Sequence, residues 1–253
     1  MKISIVTVCF NSSTTIKDTI ISIASQKDVE IEHIIIDGFS TDGTVEIINK
    51  HKDDLSKFVS EPDRGIYDAM NKGIALAAGD VIGTLNADDF YASENVLKEV
   101  AQIFMDSSID ACFGDLVYVN QENTNKIVRY WKSRDYIPGL FKAGWMPAHP
   151  TFFVRKSVYE RLGGFDLNYK IAADFELLFR FIEQNNIKTK YLPKVLVKMR
   201  LGGTTNKNLS NILRQNKEII TILSKYYVDF SVLKFVFNKL FNRFFQFVSR
   251  PKN

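Results

Sequence analysis

The chain has 253 residues, 45% of them hydrophobic and 25% charged, and a net charge of +4. That length and balance give a soluble globular protein with a full core, one principal domain plus an appendage, and they exclude a disordered or fibrous chain. The charge is uneven: from Lys225 onward there are six basic residues against one acid, Asp229, so the body is near neutral and a uniformly basic nucleic-acid-binding surface is excluded.

The two cysteines, Cys9 and Cys112, lie in apolar runs and read as buried reduced thiols of a cytosolic protein rather than a disulfide scaffold. No run is long and apolar enough to span a bilayer. Lys2 to Phe10 is rich in β-branched residues and reads as a first buried strand; it lacks the long apolar centre and cleavage site of a signal peptide. Asn11-Ser12-Ser13 supplies turn and N-cap chemistry for a helix to about Gln26. A second strand, Ile31 to Asp37, passes through the turn Gly38 to Thr44 into a helix ending near Lys52. A short strand at Lys57 to Ser60, a helix from Ile66 to Ala77 and a strand from Val81 to Leu85 follow. Strands and helices alternating at this spacing predict βαβ units and a parallel sheet with ligands along one edge.

The last of these strands runs into Asn86-Ala87-Asp88-Asp89. Adjacent carboxylates at the carboxyl edge of a sheet repel unless a shared proton, a basic side chain or a hard divalent cation compensates them. A cation is the favoured reading, and an N-cap for a helix starting near Ser93 is the alternative.

In the second half the pattern predicts a helix over Glu94 to Met105 and strands over Ala111 to Asn120 and Lys126 to Trp131. An irregular segment, Lys132 to Pro150, follows and carries His149 before another strand; long irregular connections in compact domains tend to be functional. Trp131 reads as core, and Trp145 as core or a sugar-stacking ring. Helices are expected over Ser157 to Leu162 and Ala172 to Gln184, separated by the turn Gly163-Gly164-Phe165-Asp166. A last strand, Lys190 to Met199, ends in a flexible small-residue loop, Arg200 to Thr205. Two helical stretches close the chain. In Val232 to Val248, Lys234, Asn238, Asn242 and Gln246 recur every fourth residue with Lys239 and Arg243 beside them, opposite a phenylalanine-rich face. Such a helix either lies in an anionic membrane interface or packs on the protein; Phe235, on the polar side, fits neither arrangement.

Five motifs in this order resemble the family 2 glycosyltransferases of the GT-A fold. They are Val6 to Asn11, Ile34 to Thr44, Ser60 to Gly73, Asn86 to Asp89, and Gly163 to Asp166 with Ala173-Asp174-Phe175-Glu176. The resemblance implies an α/β nucleotide-binding fold with a mostly parallel central sheet flanked by helices, over residues 1–207, and a C-terminal amphipathic helical extension over 208–253. It implies that Thr7 and Val8 line a uridine pocket, that Asp37 binds the base, and that Arg64 meets the base or a phosphate. Turn-making is the alternative for Asp37, and a surface ion pair with Asp63 or Asp68 the alternative for Arg64. Asn11, Asp68 and Asn71 become pocket residues, and Asn86, where many members carry an aspartate, contacts ribose.

Asp88 and Asp89 become the residues for Mn²⁺ or Mg²⁺, Asp89 the stronger direct ligand, with His149 near the metal or donor phosphate. Asp174 resembles the general base of an inverting transfer, with Asp166 and Glu176 as competing acids. The implied activity moves a hexose or N-acetylhexosamine from a UDP-sugar to a saccharide or lipid-linked acceptor in surface polysaccharide synthesis. It implies a peripheral location on the cytoplasmic face of the membrane and no nucleic-acid partner; the oligomeric state is left open. A nucleotidyltransferase would show a glycine-rich basic loop after the first strand, which Asn11 to Thr15 lacks. A non-catalytic nucleotide-sugar-binding protein is the remaining alternative.

Overall fold

The structure is a computed structural model that describes residues 1–202 and 209–248. β1 (Lys2–Cys9) is buried beyond its first residue, because parallel strands carry cover on both faces. It pairs in parallel with β2 (Glu30–Asp37) and β4 (Val81–Thr84), and β2 pairs in parallel with β3 (Lys57–Ser60). The connecting helices are α1 (Ile16–Ala24), α2 (Thr44–Lys50) and α3 (Ile66–Leu76). α3 lies directly on β1: a Cβ at Gly73 would sit 2.2 Å from Val6 Cγ1, so glycine there sets the helix at the depth the site needs.

Past β4 the sheet becomes mixed. β5 (Asp89–Tyr91), α4 (Val96–Ile103), β6 (Ala111–Val119), β7 (Ile127–Trp131), β8 (Phe153–Arg155) and α5 (Lys156–Leu162) lead to α6 (Ala173–Leu178), which continues as a π-helical turn, Phe179–Gln184. β9 (Thr189–Arg200) precedes α7 (Leu209–Tyr226) and α8 (Val232–Val248). The sheet runs β3-β2-β1-β4-β8-β6-β9-β5, with β7 on β6. β8 is antiparallel to both β4 and β6, β6 is parallel to β9, and β5 is antiparallel to β9. Parallel pairing, expected for most of the sheet, is continuous from β3 to β4 and recurs between β6 and β9, with antiparallel pairs at β8, β7 and β5. β5 was not expected: three residues carry no periodicity, and their partners, such as Met199 opposite Asp89, come from the far end of the sheet.

The C-terminal helices pack on the body. Ile219, Ile222 and Leu223 of α7 enter the same core as Phe175 and Phe179. Glu218 of α7 accepts the backbone N–H groups of Lys170 (3.2 Å), Ile171 (3.0 Å) and Ala172 (2.9 Å), fixing the segment that starts α6. α8 lies against β7 and over Gly144, whose φ of 80° and lack of a side chain let the backbone of Phe235 and Lys239 approach. Phe235, the residue that fitted neither reading of this helix, is 1% exposed and is the anchor that docks it. Lys239 and Arg243 therefore stand on the side that lines the cleft, and Leu233, Phe237, Leu240 and Phe241 face outward at 54–85% exposure. The expected loop Gly203-Thr204-Thr205 and the boundary at 207 lie outside the described residues.

Glu218→Ala strands three amide donors and should cost about 2 kcal/mol at neutral pH by urea denaturation. Burial works against the Glu218 carboxylate, but the three amides and Arg214 outweigh it and hold its pKa below the ordinary 4.5. A depressed carboxyl pKa stabilises the fold above 4.5 and loses that contribution as the pH falls through the folded value, so the gap between wild type and variant should shrink in acid.

Candidate active site

The carboxyl ends of β1 and β4, the start of α3, the face of β7, the segment before β8, α6 and α8 enclose an open cleft of about 1410 Å³. Six of the residues expected at the site line it: Val8, Asn11, Asn86, Asp88, His149 and Asp174. Strand ends converge here because β1 and β4 are neighbouring parallel strands with one carboxyl edge.

Asp174 occupies the second position of α6. Its Oδ1 accepts the amide of Phe175 at 2.8 Å and the hydroxyl of Tyr67 at 3.3 Å, and Tyr67 also donates to the Ile171 carbonyl at 2.9 Å. Its Oδ2 lies 3.2 Å from His149 Nδ1. Burial pushes the His149 imidazole below its ordinary value against the pull of Asp174, so a neutral ring with a proton on Nδ1 suits the pair. Burial, then the Asp174 charge, raises the Tyr67 phenol, which keeps it a hydrogen-bond donor. Asp174 thus faces the cleft with its orientation set by α3, α6 and the irregular segment together.

The two adjacent acids separate. Asp88 lines the cleft, whereas Asp89 opens β5 and is fully buried beneath it. Burial and then the charge of Asp88 raise the Asp89 pKa well above the ordinary range. Of the two acids expected at a cation, Asp88 therefore lies on the cleft, while Asp89, expected as the stronger direct ligand, is turned into the sheet. Nor does Asp89 cap a helix; α4 begins seven residues on. Arg200, at the end of β9 and 7% exposed, donates to the Asp88 carbonyl at 2.9 Å, pairs with Asp18 and lies 4.9 Å from the centre of the Phe90 ring. This residue had been read as the start of a flexible loop.

The other expected residues stand off the cleft. Thr7 is buried, its hydroxyl 3.0 Å from His33 Nε2. Asp37 is buried and its oxygens accept the amide of Ser40 (3.0 Å) and the hydroxyls of Ser40 and Ser60, so in this structure it organises the turn after β2. Arg64, 76% exposed, pairs with Asp68 at 2.7 Å, the ion pair named as its alternative, and the two brace the entry to α3. Asn71 exchanges hydrogen bonds with the backbone of Phe165 at 2.8 and 2.9 Å, tying α3 to the turn after α5. Their shared reason is geometric: residues next to a sheet edge split between the side that meets solvent and the side that holds the turns.

Sequence reasoning did not name Tyr67 or Arg129, and it placed Lys239 and Arg243 on the polar face of a helix without assigning them to a site; all four line the cleft. Tyr67 lies inside a motif that had been singled out, so its place at the start of α3 was the available signal. Trp131 and Trp145 both touch the cleft; Trp145 is buried against Phe113 and Phe141.

Comparison with known proteins bears on this arrangement. The profile of "Glycosyl transferase family 2" matches residues 4–163. A PGL/p-HBAD biosynthesis glycosyltransferase of Mycobacterium bovis is 29% identical over 208 residues, spanning 80% of this chain and 78% of the relative. Among solved structures, S. aureus TarS in complex with UDP-GlcNAc superposes with a TM-score of 0.68 at 18% identity, covering 98% of this chain and 73% of that one. A mannosyltransferase of Pyrobaculum calidifontis, in complex with GDP-Man and Mn²⁺, gives 0.65 at 17% identity, covering 95% and 69%. The likeness to both solved structures shows a shared fold, and the profile covers the four strands, the three helices and the Asp88 edge that build one side of the cleft. The chain belongs to glycosyl transferase family 2.

Proposed function

We propose that this chain is an inverting hexosyltransferase that moves a hexose or N-acetylhexosamine from a UDP-sugar to a saccharide or lipid-linked saccharide acceptor. The observation that carries this reading is the pairing of two separated acids in one cleft: Asp88 at the sheet edge and Asp174 on α6, oriented by Tyr67 and His149. In a direct displacement the acceptor hydroxyl approaches the anomeric carbon opposite the leaving nucleotide, and its proton passes to Asp174 as the new bond forms. His149 and Tyr67 then share the proton-accepting duty only by holding that carboxylate in place. The nucleotide belongs to the edge of β1 and β4, where Val8, Asn11 and Asn86 line the cleft.

Among the described residues no three His, Cys, Asp or Glu side chains gather to hold a metal ion, so a resident metal cage does not fit. Asp88 on the cleft and Asn86 Oδ1, buried without a hydrogen-bond partner, do fit an ion that takes most of its ligands from nucleotide phosphates. Such an ion, Mn²⁺ or Mg²⁺, neutralises charge on the departing diphosphate when bound. Asp88 would hold it; His149 Nδ1 is engaged by Asp174, which leaves Nε2 for a phosphate or the ion.

No helix among the described residues is long and apolar enough to cross a membrane. The outward apolar face of α8 supports a peripheral association with the cytoplasmic side of a membrane, and the PGL/p-HBAD relative supports a role in surface glycan or glycolipid synthesis.

Asp174→Asn should lower kcat for UDP-sugar turnover by about 10²–10⁴ while UDP affinity holds, measured by product release and calorimetry. Undiminished turnover would give the base to another residue, and UDP binding without any turnover by the wild type would leave only a nucleotide-sugar-binding role. Chelation, or Asp88→Asn, should remove most of the activity, with Mn²⁺ restoring only the chelated wild type; metal-indifferent turnover would refute the ion. Phe237→Ser with Phe241→Ser should reduce sedimentation with phosphatidylglycerol vesicles by on the order of tenfold. Both substitutions lie on the exposed face and leave Phe235 in the core.

A further inference from the structure

One wall of the cleft carries more positive charge than the transfer chemistry above uses. Arg129 of β7 and Lys239 and Arg243 of α8 all line it. Arg129 is 8% exposed, its guanidinium lies 3.9 Å from the centre of the Tyr118 ring, and its Nε is buried with no hydrogen-bond partner. Lys239 donates to the neutral amide oxygen of Asn216 at 2.7 Å. Burial and then the charge of Arg243 push the Lys239 ammonium down to about 8, with Asp174 opposing, and burial also lowers Arg129. Arg129 and Lys239 are drawn out of water beside a third cation, and Arg129 keeps an orphaned donor, an arrangement that an anion would stabilise.

The same helix carries the complementary surface on its other side. Leu233, Phe237, Leu240 and Phe241 are exposed, and the rings of Phe237 and Phe241 stack 6.2 Å apart. Cations on the cleft side and hydrocarbon on the outer side are separated by one helix diameter, about 10 Å. Geometry favours the acceptor over the donor for this wall. Lys239 bonds Asn216 of α7, whose Glu218 holds the Ile171-Ala172 segment that opens α6, so the wall stands beside Asp174, the base of the proposed transfer.

Resting on the glycosyltransferase reading, we propose that Arg129, Lys239 and Arg243 form a phosphate subsite for an amphiphilic acceptor. Its sugar is carried on a lipid phosphate or diphosphate whose hydrocarbon lies on the outer face of α8. Arginine forks and a desolvated lysine suit phosphate oxygens, and the apolar stripe suits the chain that follows them.

The test uses the full chain, calorimetry, and three probes: farnesyl phosphate, farnesol and UDP. Wild type should bind farnesyl phosphate at least about tenfold more tightly than farnesol. Lys239→Gln with Arg243→Gln should weaken farnesyl phosphate by about tenfold or more and leave UDP within about twofold. Arg243→Gln alone, at an exposed position, gives the same direction if the double variant folds poorly, and Lys234→Gln, on the same helix but off the cleft, should change nothing. Equal binding of farnesol and farnesyl phosphate, or unchanged farnesyl phosphate binding by the variants, overturns the subsite. So does a parallel loss of UDP, which would place the cations on the donor diphosphate. Failure of wild type to bind UDP would instead sink the proposed function, and the farnesyl phosphate comparison would still decide the subsite.

Discussion

A buried guanidinium at the end of β9 ties the acid-bearing edge of the sheet together. Arg200 donates to the Asp88 carbonyl, pairs with Asp18 of α1 and stacks over Phe90, joining three parts of the chain that are far apart in sequence. Arg200 opposes the rise that burial and the Asp88 charge impose on the Asp89 carboxyl, and so offsets the negative charge gathered at this turn. The separation of Asp88 from Asp89 is a property of β5 pairing with β9, and it decides which carboxylate lines the cleft.

The opposite wall is built by the C-terminal helices. α7 clamps the start of α6 through Glu218, and α8 is docked by Phe235 over Gly144, so both helices belong to the site they border. The proposed base, Asp174, takes its orientation from Tyr67 on α3 and His149 before β8, and the segment preceding it is held by α7. A base positioned from three directions is pre-organised, and the energy of holding it is spent in folding rather than at each turnover.

α8 also shows how a helical pattern can be read correctly and still leave the orientation of the helix open. The four-residue recurrence of polar positions and the opposing phenylalanines are real. A sequence gives the two faces but not which of them meets the protein. Ordinarily the apolar face packs inward, and here one phenylalanine on the polar side, Phe235, is enough to dock the helix with its cations toward the cleft.

The alternation of strands and helices, the motif at Asn86 to Asp89, the helix bearing Asp174 and the family itself were legible in the chain, because they rest on local periodicity and on short motifs. Asn11, Asn86, Asp88, His149 and Asp174, named from such motifs, line the cleft. Burial partners, the mixed second half of the sheet, the β5–β9 pairing, the burial of Asp89 beside an Asp88 that lines the cleft, and the turn-holding contacts of Asp37 and Asn71 were not legible. Each depends on residues brought together over tens to more than a hundred positions, as with Asn71 and Phe165 or Asp89 and Met199. Local pattern fixes which chemistry a segment carries; only the packing of distant segments fixes which side of that chemistry meets solvent.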